Sequence, residues 1–282
     1  MNAMRLKTLL ITLTALLALS SCKTEYAALL EGSDIPAKYA KAFELFEAKK
    51  YGRAAEMFES LTVLTPGLPQ DDTVQFYWGL SNYRYGDYTT AESNLDRFIS
   101  VYPSSPFTQQ AKFLRLDCLY RSTYRYELDQ QPTYRAMTAI SQFILENKGS
   151  EYIPRCREML DDLKDRLELK AYKGAWLYYH MEDYLAAHYA LKNVLKENAD
   201  NRYREDILYF TAMSSYKYAL NSIPSKQRER YMTFVDDYFN LISEFPENEH
   251  RKELDGLYAR AQKYISKSEP SENEDNNNTN NN

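Results

Sequence analysis

The stretch Tyr88-Thr89-Thr90-Ala91-Glu92-Ser93-Asn94-Leu95-Asp96-Arg97-Phe98-Ile99-Ser100-Val101-Tyr102-Pro103 decides the fold. Tyr88 is followed three residues on by a small side chain, seven and ten on by Leu95 and Phe98, and then by Pro103. Steps of three and four place these residues on one helix face, and the proline stops the helix. The spelling recurs. Tyr51 leads to Ala54, Phe58, Leu61 and Pro66. Thr133 leads to Ala136, Ile140, Phe143 and Lys148, and Tyr184 to Ala187, Leu191, Val194 and Ala199. Tyr231 leads to Phe234, Tyr238, Leu241 and Pro246 without the small residue. Repetition at this spacing predicts stacked helix pairs: an all-α, right-handed α-solenoid of about five tetratricopeptide-like pairs. Each quoted run is the second helix of its pair, and an amphipathic helix from Leu254 to Ile265 caps the stack.

The copies are unevenly spaced. Ala54 and Ala91 are 37 residues apart, near the tetratricopeptide period of about 34, while Ala91 to Ala136 is 45, Ala136 to Ala187 is 51 and Ala187 to Phe234 is 47. The excess falls around Ser122–Gln131 and Asn221–Arg228, and in a long first helix of copy four from Tyr152 to His180. Only 8 Gly and 10 Pro in 282 residues argue against a turn-rich β fold, and 26 Tyr suit half-buried helix faces.

Arg5, Lys7 and the apolar run Leu9–Leu19 read as a targeting segment, shorter than the about 20 residues that span a bilayer. It ends in Leu19-Ser20-Ser21-Cys22, which resembles the lipobox of bacterial lipoproteins. The expected organisation is a signal peptide over 1–21, lipidated Cys22 and a tether over 22–34, repeats over 35–265, and a disordered Asn-rich tail over 266–282. Cys22 would carry the acyl chains that hold the chain on a membrane. With Lys23 in place of Asp, the lipoprotein resemblance implies the outer membrane, and the periplasmic face is expected. Losing Arg5 and Lys7 takes the formal charge from −5 to −7. That balance, with no Lys/Arg stripe, argues against nucleic acid and against electrostatic membrane binding. Cys118 and Cys156 read as buried thiols, with a disulfide left open.

In paired-helix stacks the first helices line the concave face. Small residues at their eighth positions are Ala42, Gly79, Ala175 and Ala212. Counting from these gives groove positions Tyr39, Phe43 and Phe46 in copy one and Phe76, Leu80 and Tyr83 in copy two. Copy four supplies Tyr172, Trp176 and Tyr179, and copy five Tyr209, Met213 and Tyr216. The same spacing fits core packing, so both readings stand for any single ring. A whole groove of rings favours extended peptide, and copies one and two are expected to bind aromatic-ended segments of unfolded outer-membrane barrel proteins.

Leu95-Asp96-Arg97-Phe98-Ile99 with Tyr102-Pro103, Leu163-Lys164-Asp165-Arg166-Leu167, and Tyr178-Tyr179 before Tyr184-Leu185-Ala186-Ala187 resemble the BamD family of outer-membrane assembly lipoproteins. Asn221-Ser222 and Gln227-Arg228-Glu229-Arg230-Tyr231 resemble its Bacteroidetes-type form. The resemblance implies a component of the β-barrel assembly machinery that scaffolds the complex and receives the same clients. It implies partners in the central barrel-inserting subunit and other assembly lipoproteins. It places the docking residues in copies four and five, among Tyr172, Trp176, Tyr179, Tyr209, Tyr216, Arg228 and Arg230. An alternative is a periplasmic tetratricopeptide adaptor regulating cell-wall or division enzymes. No phosphate loop, nucleotide motif or paired-Cys metal site is present. His180, His188 and His250 read as satisfied or solvated, and Asp161-Asp162 and Asp236-Asp237 as solvated helix faces. No cofactor and no catalysis are expected.

Overall fold

A computed structural model of the chain describes residues 25–267, which contain helices and no strand. The leader, Cys22 and the tail beyond Lys267 lie outside the described residues. Helix α1 occupies 25–31. Pairs follow in order: α2 (Ile35–Glu47) with α3 (Tyr51–Thr62), α4 (Asp71–Tyr85) with α5 (Tyr88–Val101), and α6 (Thr108–Arg121) with α7 (Gln131–Glu146). Then come α8 (Ile153–His180) with α9 (Tyr184–Glu197), α10 (Arg204–Leu220) with α11 (Pro224–Glu244), and α12 (Arg251–Lys267). All five second helices fall on the repeated spelling, and the fold is the tetratricopeptide-like series of pairs that it predicts.

Local chemistry explains the turns within the pairs. Lys49, Gly86 and Glu182 each sit two residues ahead of the leading Tyr, with φ of 57, 96 and 62°. This left-handed residue reverses the chain between helices. Asp87 and Asp183 come next and cap α5 and α9, accepting from Thr90 N at 3.0 Å and Ala186 N at 3.1 Å. Lys50 holds the same position in copy one and makes no side-chain cap. The small residue of the first helix has a steric cause at Gly79, where a Cβ would lie 3.0 Å from the buried Leu95 side chain.

The extra residues are accommodated in different ways. Between α6 and α7 they form the non-helical stretch 122–130, whereas at Asn221–Arg228 only 221–223 are turn and Pro224 already opens α11. The second insertion therefore mainly lengthens a helix. Residues 25–31 of the tether are helical too, with Tyr26, Leu29 and Leu30 packed on the core of the first pair.

The chain divides into two compact units, one running through Tyr124 with Leu128–Leu160, the other comprising Arg125–Glu127 and residues from Asp161 on. In the first, Met57, Phe58, Leu61 and Val74 fill the space among α2, α3 and α4, and Phe76, Leu95, Phe98 and Leu114 that among α4, α5 and α6. In the second, Tyr172, Leu191 and Ile207 join α8, α9 and α10, while Tyr216, Phe234, Leu241 and Leu254 join α10, α11 and α12. Cys118 and Cys156 are both buried and free. Burial, with Asp117 and Glu92 nearby, pushes the Cys118 thiol up to about 12.

Candidate peptide-binding and docking surfaces

In the first unit, α2 presents Tyr39, Phe43 and Phe46, all half-buried. Their rings converge on Tyr77 of α4: Phe43 lies 4.7 Å and Phe46 5.2 Å from it, and Tyr39 lies 4.8 Å from Phe43. These centroid separations are those of attractive edge-to-face and tilted pairs. Burial and the neighbouring Tyr77 and Asp72 raise the Tyr39 phenol, and its hydroxyl makes no hydrogen bond among the described residues. An uncharged hydroxyl beside an apolar face can donate to, or accept from, a passing main chain.

Phe76 and Leu80 stand elsewhere. Both are buried, Phe76 stacked on Phe107 at 4.6 Å and packed on Phe98, because they face α5 and α6. They are core rather than groove. The residue the counting missed is Tyr77, one position on, which turns toward α2. Tyr83 is half-buried and tied down: its hydroxyl donates to Asp117 Oδ2 at 2.7 Å, and Arg121, ion-paired to Asp117, lies 5.8 Å from its ring centroid. Desolvation first, and the Asp117 bond second, push this phenol up to about 12.

In the second unit the equivalent hub is Phe210 of α10, two residues before Ala212 as Tyr77 is two before Gly79. Tyr209 lies 4.9 Å, Tyr179 5.0 Å, Trp176 6.2 Å and Tyr172 6.5 Å from it. Tyr172, Met213 and Tyr216 are buried, so these three positions belong to the core. Trp176 and Tyr179 are half-buried, with Trp176 stacked on His180 at 5.3 Å. Tyr209 stacks on His250 at 3.8 Å and donates to Glu253 Oε2 at 3.1 Å. Arg230 lies 4.0 Å from the Tyr218 ring centroid and bonds Ser222, which fastens the turn into α11; Arg228 points its Nη1 at Met232 Sδ, 3.9 Å away.

The openly exposed apolar side chains of this unit lie at other positions. Leu177 lies in the last turn of α8 and Met181 just past its end, and Leu185 and Tyr189 stand one turn apart on α9. Sequence counting from the small residues passed over them because it follows the face that packs. Asp237 is buried rather than solvated. His188 Nε2 and Lys192 Nζ reach its two oxygens at 2.8 and 3.2 Å, linking α9 to α11. Among the described residues no cluster could hold a metal ion, and no helix is long and apolar enough to cross a membrane.

A family model described as YfiO, outer membrane lipoprotein, matches residues 33–229, from just ahead of α2 into α11. The chain belongs to this YfiO family of outer membrane lipoproteins. The match covers all four small-residue first helices and both ring hubs. A curated relative, the outer membrane protein assembly factor BamD of Caulobacter vibrioides, is 28% identical over 132 residues. That alignment covers 46% of this chain and 43% of the relative, so the chain spans less than half the length of that protein. A crystal structure of a tetratricopeptide repeat protein from Parabacteroides merdae aligns with 85% of this chain and 82% of its own, at 16% identity and a TM-score of 0.33.

Proposed function

We propose that this YfiO-family chain is a lipid-anchored component of outer-membrane β-barrel assembly, held on the periplasmic face by acylated Cys22. It acts by binding, not catalysis. The observation that carries this reading is the half-open ring face Tyr39–Phe43–Phe46–Tyr77, with the Tyr39 hydroxyl beside it, in a chain whose family is that of outer membrane lipoproteins. Extended segments of unfolded barrel proteins, ending in aromatic residues, supply rings for this face and main-chain groups for the hydroxyl. Phe76, Leu80 and Tyr83 support it from behind. The second unit docks the barrel-inserting subunit through Trp176, Tyr179 and Tyr209 and the exposed Leu177 and Tyr189, with Arg228 and Arg230 beside the α10–α11 turn. Buried Tyr172 and Tyr216 hold that surface in shape.

The test is crosslinking of the purified chain to a peptide with the aromatic C-terminus of a barrel protein. Tyr39→Ala and Tyr77→Ala should each weaken capture by about tenfold, the usual effect of truncating a central ring. Phe98→Ala, a core change remote from the face, should lower stability with little loss of capture below the melting point. Equal capture by Tyr39→Ala, Tyr77→Ala and the unaltered chain would overturn the reading. Copurification of the barrel-inserting subunit, lost with Leu177→Glu and Tyr189→Glu, tests the docking half.

A further inference from the structure

The turns of copies one and two carry a concentration of positive charge on an otherwise acidic chain. Lys49, Lys50 and Arg53, at the turn into α3, share one open depression with Arg84 at the end of α4. Tyr85, 67% exposed, completes it, its ring lying against Gly52, where a Cβ would sit 3.0 Å from the ring edge. None of the four cations forms an ion pair among the described residues, so no carboxylate neutralises the depression. The one carboxylate lining the depression, Glu56, accepts the Tyr26 hydroxyl at 2.8 Å.

Helix α1 gives this patch its location. The Tyr26 hydroxyl donates also to Arg53 O at 3.1 Å, and the Arg53 guanidinium lies 5.3 Å from the Tyr26 ring centroid. Lys38, buried without a carboxylate, donates its Nζ to Leu30 O at 2.7 Å and Ser60 Oγ at 3.0 Å, and so fixes the end of α1 to α2 and α3. The first described helix is thus clamped beside Arg53. Tyr26 is four residue steps from Cys22, a reach of at most about 14 Å. An acyl group on Cys22 therefore brings the patch to the lipid surface.

We propose that Lys49, Lys50, Arg53, Arg84 and Tyr85 form a docking surface for the phosphates of anionic lipid headgroups in the membrane that holds the anchor. The inference rests on acylation of Cys22. Lysine and arginine supply point and forked donors to phosphate, and Tyr85 suits the interface between water and acyl chains. With Arg5 and Lys7 lost the formal charge is −7, so the chain as a whole is repelled by an anionic surface and attraction falls to the patch. Charge summed over the sequence hides the patch, because Arg84 joins the other three only through the packing of α4 on α3.

The lipidated full chain, purified and reconstituted into vesicles of phosphatidylcholine with or without phosphatidylglycerol, is treated with an amine-acetylating reagent and digested. Lys49 and Lys50 should be protected several-fold in phosphatidylglycerol vesicles, with Lys252 and Lys263 unchanged, and salt should remove the protection. Arg53→Gln and Arg84→Gln together should lower the protection of Lys49 and Lys50 several-fold in phosphatidylglycerol vesicles. Equal acetylation of Lys49 and Lys50 in both vesicles would overturn the proposal. So would equal protection by inorganic phosphate in neutral micelles. The mass of the N-terminal peptide reads acylation independently: its absence overturns the anchor, and with it the reach argument, while an acylated peptide with unprotected lysines overturns the patch alone.

Discussion

His188 on α9 and Asp237 on α11 meet at 2.8 Å inside the second unit, 49 residues apart in sequence and both almost wholly buried. The bond joins the second helices of copies four and five, which the repeat pattern itself leaves unconnected. Lys192 reaches the other Asp237 oxygen from a half-exposed position. Asp237→Ala leaves two donors without their acceptor, and the cost should be about 1–3 kcal/mol in chemical denaturation. Lys192→Ala should cost less than about 1 kcal/mol, because that side chain is free to turn to water. Equal losses for the two variants would refute this ranking.

Among the phenols that donate to carboxylates of other helices are Tyr83 to Asp117, Tyr102 to Asp71 and Tyr238 to Asp255. Burial, then these bonds, raise each from its ordinary value near 10 to about 12. A raised folded value means that the folded state holds its proton more tightly. The stabilisation is complete below pH 10 and is lost as pH climbs to about 12. Tyrosinate absorbance and unfolding should rise together in that window. Tyr83→Phe should flatten the alkaline loss, and an unchanged alkaline limb in all three Phe variants would contradict the assignment.

Gly79 and Gly174 should respond oppositely to enlargement. A Cβ at Gly79 meets Leu95 at 3.0 Å, while one at Gly174 meets nothing within 4 Å on an exposed face of α8. Gly79→Val should lower stability by about 1–3 kcal/mol through overpacking. Gly174→Ala should raise it by up to about 1 kcal/mol through helix propensity. Thermal melts of the two variants decide the matter.

Glu182 takes the left-handed position that glycine fills at Gly86. Glu182→Gly relieves its backbone and should stabilise the second unit by about 0.5–1 kcal/mol, with little effect from the same change at exposed Glu197 inside α9's last turn beyond its helix-propensity cost. A melting temperature lowered by Glu182→Gly would count against the strain.

The helix pairs were legible because second helices pack on one side only and keep a clean 3.6-residue stripe, as Tyr51–Leu61 and Tyr88–Phe98 do. First helices are harder. α4 lies between α2 and α3 on one side and α5 and α6 on the other, so Phe76, Tyr77, Trp78 and Leu80 surround it with apolar side chains. Periodicity then cannot say which ring faces out, and the count fell on Phe76 instead of Tyr77. Asp237 was illegible for another reason: its partner comes from a different copy, and a local pattern carries no information about distant pairing. The turn at 221–223 shows the limit of spacing, which reports how many residues are inserted but not whether they continue a helix.

Tyr77 and Phe210 hold the same place in copies two and five, each wedged against the first helix of the preceding copy. In a stack whose members touch only neighbours, such a ring sets how strongly adjacent copies open and close together. Copies one and two, and copies four and five, are thus each welded into a cooperative block. Amide hydrogens of α2 and α4 should exchange as one population, and those of α8 beyond residue 161 and α10 as another, so that each binding surface opens or stays closed as a whole.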